Sequence, residues 1–328
     1  MPIQRERLIQ LLDRAKTKNI VVVGDAMLDV YLIGEVERIS PEAPVPVVRV
    51  TERRYSLGGA SNVAHNVAAI GSSCSLVSTI GHDKSGAMLR EMLRAIGVAT
   101  TNLLEVDRPT TEKTRIVARS QQLVRVDEED ASDLAEDFRQ TLKQNIRSAL
   151  EGADALVLED YNKGLLVPDV IEDAITSAKA RAIPIVVDPK FRNFFSYAGA
   201  TVFKPNVREL EAALGATIDI EHPDTLPSML GRLQVQHILL TLGERGMVLF
   251  SGADNLVRIP TAAREVFDVV GAGDTVTAYL AAMLAAGASP VEAATIANMA
   301  AGIEVGKLGA ATVTPVELIE YCERDVAQ

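Results

Sequence analysis

The sequence predicts an α/β fold in three layers (α/β/α), with a mostly parallel central sheet and a small β-sheet lid. Short β-branched runs recur along the chain, segments with helical spacing of apolar residues separate them, and two extended stretches interrupt that alternation. With 328 residues, 48% of them hydrophobic, the chain is long enough for one large domain. No repeat or linker divides it, so we expect a single domain over residues 1–328.

The β-branched runs define the predicted strands of the central sheet. The helical pattern after Asp83 places Met88, Leu89, Met92 and Leu93 on one buried face. Strands that alternate with such helices are typical of βαβ units and a parallel sheet. The predicted strands are Ile20–Val23, Leu76–Ile80, Ala155–Leu158, Ile183–Val187, Thr201–Phe203, His237–Thr241 and Met247–Phe250.

Two extended stretches, Tyr31–Tyr55 and Thr111–Val126, lie outside this series. Both are rich in valine and in alternating apolar positions, which predicts a β lid formed by about residues 31–55 and 111–126. The alternative is a pair of ordinary surface hairpins. A projecting valine-rich sheet exposes an edge and an apolar face, so we expect a homodimer joined through the two lids.

Charge and composition exclude several classes of partner. A net charge of −11 argues against nucleic acid and anionic membranes, so an anionic substrate has to be held by local cations and backbone amides. Only Cys74 and Cys322 occur, which favours a reducing cytoplasm over a disulfide framework. The alanine-rich stretch Tyr279–Gly302 is interrupted by Pro290 and Glu292, so it predicts two core helices and no transmembrane span.

The run from Asp268 to Thr275 predicts a phosphate-binding helix start. Gly271, Ala272 and Gly273 allow a sharp turn that directs backbone N–H groups at an anion, and an apolar helix follows. Asp274 stands beside those amides. It is therefore the candidate general base next to an anion hole formed by residues 271–274.

Residues near the first strand suit a sugar. Gly58 and Gly59 permit a close backbone approach to a ligand, and Asn62, early on the following helix, can bond to hydroxyls. A plain turn before a core helix is the alternative. Asp25 and Asp29 follow the first strand at the edge where α/β sheets bind ligands, although one of them could merely cap a turn.

A second group of residues suits a nucleotide. Asn206 and Glu209 would share a helix face and could organise Mg²⁺ through water, or they could form an ordinary N-cap and first turn. Lys190 ends a strand and could reach a phosphate. The turn between the last two predicted strands supplies glycine-lined backbone near a nucleotide through Thr241, Gly243 and Gly246.

Two other phosphate-binding motifs are not matched by the sequence. Ala26 and Met27 stand where a dinucleotide-binding GxGxxG turn needs glycines, which removes the main support for an oxidoreductase. In the stretch from Gly302 to Leu308 the first glycine is one residue too close for a Walker A loop, and Leu308 cannot ligate magnesium.

Taken together, these residues resemble the ribokinase-like, or PfkB-type, carbohydrate kinases along almost the whole chain. The resemblance is carried by the glycine pair with Asn62, by Gly81–Gly86, by Asn206 with Glu209 and by the GAGD run ending at Asp274. It implies that Asp274 is the catalytic base, that the GAGD amides form the anion hole, and that Asn206 and Glu209 order Mg²⁺ and ATP. It leaves open whether a monovalent cation lies behind the anion hole.

Within that family the chain looks most like the D-glycero-β-D-manno-heptose-7-phosphate kinases of lipopolysaccharide core synthesis. Four stretches carry this likeness: Gly24–Asp29, Arg38–Val47, Leu123–Glu129 and Asp160–Gly164. The resemblance implies transfer of the ATP γ-phosphoryl group to the anomeric hydroxyl of heptose 7-phosphate. Some relatives carry a nucleotidyltransferase domain after the kinase; the sequence shows no HxGH signature of such a domain, and we expect a stand-alone kinase.

Cations near the sugar phosphate are the third part of the expected site. A sugar phosphate bound by an acidic protein needs local positive charge, and Lys163, Arg125 and Arg108 are the candidates for the 7-phosphate. Two alternatives remain. The chain could be a ribokinase-like kinase for a different sugar or nucleoside, or a catalytically silent sensor of the same fold.

Three positions depart from the family pattern. Many relatives have Thr or Ser at the position of Val270, glycine at that of Phe191, and Thr at that of Lys204. Val270 removes one hydroxyl that could contact phosphate, and Lys204 could add charge near the nucleotide.

Overall fold

Two β-sheets organise the chain in the computed structural model, which describes residues 3–119, 121–219, 226–252 and 255–326. The strands, in chain order, are β1 (Asn19–Gly24), β2 (Ala26–Ile39), β3 (Pro46–Gly59), β4 (Ser73–Gly81), β5 (Leu103–Val106), β6 (Glu112–Ala118), β7 (Gln121–Glu128), β8 (Ala155–Glu159), β9 (Ile185–Asp188), β10 (Val202–Phe203), β11 (His237–Thr241), β12 (Met247–Phe250) and β13 (Leu256–Ile259). The α-helices are α1 (Arg5–Ala15), α2 (Ala60–Ile70), α3 (Lys84–Ala95), α4 (Glu136–Ala149), α5 (Pro168–Lys179), α6 (Val207–Leu214), α7 (Leu226–Leu233), α8 (Ala272–Ala285), α9 (Pro290–Glu304) and α10 (Pro315–Val326).

The main sheet has nine strands in the order β13-β12-β11-β10-β9-β8-β1-β4-β5. Its pairs are parallel except for β11–β12 and β12–β13, which are antiparallel. All seven predicted strands are present, so the mostly parallel sheet is confirmed. The sequence analysis missed β5 and β13, two four-residue strands at the edges of the sheet.

Helices cover both faces of this sheet. Along β1, Val22 packs into one apolar core, while Val21 and Val23 pack into the other. The first core contains residues of α1, α2, α3, α8, α9 and α10, and the second contains residues of α4, α5, α6 and α7. A parallel sheet buried on both faces is the α/β/α arrangement that the sequence predicted.

The alanine-rich stretch forms two helices, as predicted. α8 ends near Ala286 and α9 begins after Ser289, whose side chain and that of Glu292 form a capping box. No described helix is both long enough and apolar enough to cross a membrane. Cys74 and Cys322 are buried and are not joined in a disulfide.

The second sheet has four strands in the order β3-β2-β6-β7, and we call it the lid sheet. It consists of two antiparallel hairpins that are joined by parallel pairing of β2 with β6, from Leu28 opposite Glu112 to Gly34 opposite Ala118. This pairing makes one sheet of the two stretches, so the alternative of separate surface hairpins is wrong. β2 begins at Ala26 and β3 ends at Gly59, which connects the sheet directly to the sugar-binding candidates.

The two faces of the lid sheet differ in chemistry. Because side chains alternate along a strand and paired residues share a face, Asp29, Tyr31, Arg115 and Arg125 lie on one side. The opposite face is richer in apolar side chains, although Arg53, Thr114 and Glu128 also lie on it. It carries Val30, Tyr55, Ile116, Val124 and Val126, and the last two are 47% and 53% exposed.

Candidate active site

The site is built around the first turn of α8. Gly271 precedes that helix with φ 96°, in the left-handed region that favours glycine, and a Cβ there would lie 3.0 Å from the Asn62 Nδ2 atom. The first bond inside the helix runs from the Thr275 N–H to the Gly271 carbonyl (2.9 Å), and the Ala272 N–H points at the Val269 carbonyl (3.4 Å). The amides of Gly271, Gly273 and Asp274 therefore remain available to an anion at the positive end of the helix.

The turn that leads into α8 is held by Asp268. Its two carboxylate oxygens accept hydrogen bonds from the backbone N–H groups of Val270 (3.0 Å) and Gly309 (3.1 Å). The turn therefore gets its shape from Asp268 and from backbone groups, and the half-buried Val270 takes part through its main chain.

Asp274 lies at the bottom of the cleft and is 5% exposed. Its Oδ2 accepts a hydrogen bond from Asn62 Nδ2 (2.7 Å), and its Oδ1 accepts one from the Tyr161 hydroxyl (2.8 Å). Burial raises the pKa of Asp274 to about 6, with a contribution from the nearby Asp188, while the two hydrogen bonds act in the opposite direction. A carboxylate with this pKa is ionised at neutral pH and is a better base than an ordinary aspartate.

Asp274, Asp188 and Glu159 form a buried group of acids whose oxygens lie within 4.8 Å of one another. The Lys204 ammonium is 3% exposed and donates to Asp188 Oδ2 at 2.8 Å. Burial opposes the charge on Asp188, but Lys204 and Lys190 lower its pKa below the usual value. Burial and Asp188 raise the pKa of Glu159 well above its ordinary range, so this carboxyl group is harder to ionise than that of an exposed glutamate. The Lys204 ammonium thus offsets part of the negative charge of this cluster.

A cleft of about 310 Å³ opens above these residues. It brings together the predicted base, two anion-hole glycines and four of the six nucleotide-binding candidates. Gly243 and Gly246 lie in the turn after β11, beyond the lining residues. The residues lining the cleft are Tyr161, Asp188, Lys190, Lys204, Asn206, Glu209, Thr241, Val269, Gly271, Gly273 and Asp274.

Asn206 and Glu209 form the capping box of α6. Asn206 Oδ1 accepts from the Glu209 N–H, and Glu209 Oε2 accepts from the Asn206 N–H, both at 2.9 Å. The N-cap alternative therefore describes their local geometry. Glu209 Oε1 also pairs with Lys190 Nζ at 2.5 Å. Because both oxygens already accept a bond, a magnesium ion would contact this carboxylate through its water shell.

The sugar-binding candidates meet where β1 and β2 leave the main sheet. Asp25 Oδ2 accepts hydrogen bonds from the backbone N–H groups of Tyr161 (2.8 Å) and Lys163 (3.0 Å), so this aspartate fixes a loop as the turn alternative suggested. Asp29 Oδ1 pairs with Arg115 at 2.5 Å. A Cβ at Gly58 would lie 2.6 Å from Asp29 Oδ2, which explains the glycine beside this carboxylate.

The three predicted phosphate cations have different surroundings. Arg108 donates to the carbonyl oxygens of Ser132 and Lys163 and to the Thr79 hydroxyl. All three partners are protein groups, so the guanidinium holds the segments around Ser132 and Lys163 in place. Lys163 pairs with Glu129 at 2.7 Å. Arg125 lies on the outer strand β7, where it pairs with Asp127 at 2.8 Å and is half exposed. These three cations are not among the residues that line the cleft above Asp274.

Five residues of the site were missed by the sequence analysis as individual candidates. Tyr161, Glu159 and Asp188 lie at or just after the carboxyl ends of β8 and β9, and the edge rule that selected Asp25 could have selected them. Arg115 meets Asp29 only through the pairing of β6 with β2. Glu304 has no hydrogen-bond partner on either carboxyl oxygen within the described part of the chain, and burial raises its pKa to about 8. Its helical stretch gave no signal.

Comparison with known proteins identifies the family. The model of the pfkB family carbohydrate kinases matches residues 17–317. The chain belongs to this family. It is 46% identical over 318 residues to the "Bifunctional protein HldE" of Pelobacter propionicus and 45% identical over 319 residues to that of Citrifermentans bemidjiense. Each alignment covers 96% of this chain but only 65% and 66% of the relatives, so the chain spans about two-thirds of their length or slightly less.

Solved structures confirm the ribokinase-like fold. Ribokinase of Arabidopsis thaliana, complexed with ribose and ATP, superimposes with a TM-score of 0.73 at 20% identity, covering 94% of this chain and 99% of that one. Phosphofructokinase-2 of Escherichia coli gives a TM-score of 0.77 at 19% identity with the same coverage. The chain thus combines the ribokinase-like fold with membership of the pfkB family of carbohydrate kinases.

Proposed function

We propose that this kinase phosphorylates the anomeric C1 hydroxyl of D-glycero-β-D-manno-heptose 7-phosphate, giving the 1,7-bisphosphate for ADP-heptose and lipopolysaccharide core synthesis. The kinase chemistry is supported above all by Asp274, a buried carboxylate with a pKa of about 6 at the amide-rich start of α8. The heptose substrate is supported by the four sequence stretches described above and by the relatives named HldE.

In the proposed mechanism Asp274 removes the proton of the sugar hydroxyl as that oxygen attacks the γ-phosphorus in line. The amides of Gly271, Gly273 and Asp274 stabilise the charge on the transferring phosphoryl group. Lys204 Nζ lies 3.7 Å from the point where a Cβ of residue 273 would stand, so its ammonium faces the same group. Lys190 and the residues around Thr241, including Gly243 and Gly246, would bind the nucleotide.

Magnesium would accompany ATP at Asn206 and Glu209. It supplies charge neutralisation on the β- and γ-phosphates when bound. For a monovalent cation the residues also fit, because the buried carboxyl of Glu304 lies behind Gly271, 3.2 Å from the point where a Cβ would stand. A cation there would neutralise the charge of the Glu304 carboxylate, which is otherwise neutralised by a proton.

The sugar would lie between Asp29, the Gly58–Gly59 turn and the Asn62 amide, with Asp25 holding the loop beneath it. Its 7-phosphate would extend toward the charged face of the lid sheet. Lys163 is the cation best placed to exchange its partner Glu129 for a phosphate, since Arg108 is committed to carbonyl groups. Arg125 would contribute from β7.

We also propose that two copies associate through the apolar face of their lid sheets. Val50, Tyr55, Val124 and Val126 are all between 37% and 53% exposed on this one face. Single exposed apolar residues are common, but several on one face of a sheet favour a partner surface. A second copy offers a face of identical character, as a two-fold interface requires.

An ATP-consumption assay over a panel of acceptors tests the substrate. Heptose 7-phosphate, unphosphorylated heptose, fructose 6-phosphate, ribose and adenosine are compared at equal concentration, with ATP alone as the control. We expect heptose 7-phosphate to give the highest kcat/KM and the loss of its phosphate to raise KM. Preferred turnover of another acceptor would identify a different ribokinase-like activity, and binding without turnover of any acceptor would indicate a sensor.

A further inference from the structure

Tyr161 connects three parts of the site that come from distant segments of the chain. Its backbone N–H bonds to Asp25, its hydroxyl bonds to Asp274, and the Lys190 ammonium lies 5.0 Å from the centre of its ring. Asp25 belongs to the sugar side, Asp274 is the base, and Lys190 belongs to the nucleotide side. Tyr161 therefore lies at the boundary between the two substrate sites.

The loop that carries Tyr161 is held tightly. Asp160 accepts hydrogen bonds from the Asn162 N–H (2.7 Å) and from the Tyr197 hydroxyl (2.7 Å), and the next residue, Lys163, donates its N–H to Asp25. Asn162 adopts φ 56°, which closes the turn directly after Tyr161. These bonds fix the backbone from which the Tyr161 side chain reaches Asp274.

We propose that Tyr161 is a positioning residue that orients the Asp274 carboxylate for proton removal. Two donors on two different oxygens, Asn62 on Oδ2 and Tyr161 on Oδ1, fix the rotation of the carboxylate plane. The lone pairs that they leave unused are then directed at the incoming sugar hydroxyl. This inference rests on the role of Asp274 as the base in the proposed function.

The phenol acts only as a donor under working conditions. Burial raises the pKa of Tyr161 well above its usual value, with a further contribution from Asp274, so the hydroxyl keeps its proton. A donor to the charged form of a carboxylate favours that form, so Tyr161 helps to keep Asp274 ionised. The other charged or titratable groups that influence Asp274 are Glu159, Asp188, Lys204 and Glu304. The substitution Tyr161→Phe changes none of these residues.

The first experiment introduces the substitution Tyr161→Phe and compares the pH profile of kcat with that of the wild type. We expect kcat to fall about tenfold and the acidic limb of the profile to move up by about one pH unit, because a hydrogen bond to a charged group is lost. KM for ATP should stay within about twofold, because the nucleotide contacts are untouched. Tyr279→Phe is the matched control. It removes a buried hydroxyl on the same helix as Asp274, bonded to the Val313 carbonyl at 2.7 Å, and should leave the limb in place.

A second variant covers the case in which Tyr161→Phe does not fold. Incorporation of 3-fluorotyrosine at position 161 keeps the shape and strengthens the donor, so the acidic limb should move to lower pH. The Asp274 carboxyl carbon, followed by NMR in protein labelled with ¹³C-aspartate, should show the same shifts without any substrate. The inference would be overturned if, in both variants, the acidic limb of the pH profile and the NMR titration of Asp274 stayed where they are in the wild type.

Asp274→Asn, measured in parallel, separates this inference from the proposed function. If that variant is inactive and the Tyr161 variants leave the titration of Asp274 unchanged, only the positioning role fails. If Asp274→Asn keeps its turnover, the assignment of the base fails, and the positioning role fails with it.

Discussion

The floor of the cleft and the lid sheet both contain paired charges, but the pairs differ in burial. In the floor, the side chains of Lys204 and Asp188 are 4% and 6% exposed. On the lid, those of Arg125 and Asp127 are 50% and 23% exposed. Water screens the Arg125–Asp127 pair, so it contributes little to stability and its partners can be exchanged. The Asp29–Arg115 pair at the base of the lid sheet is 7% and 12% exposed and is closer in burial to the floor pair. The floor pairs are desolvated and keep a fixed geometry.

The pKa values of acid groups are shifted in opposite directions in these two regions. In the floor, burial raises the pKa of Asp274 to about 6 and that of Glu159 well above normal. On the lid, burial also opposes the charge of Asp127, but Arg125 and Lys113 lower its pKa below the usual value. The floor is thus suited to moving a proton, whereas the acid groups of the lid stay ionised beside their cationic partners.

The largest expected effect is in the floor. Asp274→Asn should lower kcat by a factor on the order of 10²–10⁴, the usual range for loss of a general base, while folding and ATP binding stay nearly intact. Steady-state kinetics and ATP titration measure the two quantities. Asp107→Asn is the control, because that side chain is 89% exposed and should keep wild-type turnover. Turnover near that of the wild type in Asp274→Asn would contradict the role of the base.

An intermediate effect is expected on the lid. The double substitution Val124→Asp and Val126→Asp puts two charges on the apolar face, so the proposed homodimer should dissociate at micromolar concentration in light scattering. kcat should change less than for any substitution of Asp274. Val316→Asp, on α10 and 62% exposed, introduces a charge at a comparably exposed valine and should leave the dimer intact. A wild-type protein that is monomeric at the same concentration would refute the interface.

The smallest effect is a dependence on pH that the two regions do not share. Because the pKa of Asp274 is raised, its carboxylate is lost at a higher pH than that of an ordinary aspartate, and kcat/KM should halve near pH 6 and fall below it. The pKa values of Asp127 and Glu129 are lowered, so the lid stays charged and dimeric at that pH. Rates and light scattering recorded together between pH 8 and 5 check both. A rate that is constant over this range would contradict the titration of the base.

Much of the fold followed from local pattern. The seven predicted strands, the division of the alanine-rich stretch and the helix start after Gly271 depend on neighbouring residues, so composition and spacing were sufficient. The edge strands β5 and β13 were missed because four-residue segments carry little periodic signal. The pairing of β2 with β6 joins residues more than 80 apart, which local pattern does not encode.

The sequence by itself determined the family, the phosphate-binding turn and the identity of the candidate base, because these depend on short runs of residue types. Tertiary structure alone decided the partners of that base. Asn62 and Asp274 are 212 residues apart, Tyr161 and Asp274 are 113 apart, and Asp29 meets Arg115 across 86. The tertiary structure also decided the pKa values of the acid groups in the site. A pKa depends on desolvation and on nearby charges, and both arise only when distant segments pack together.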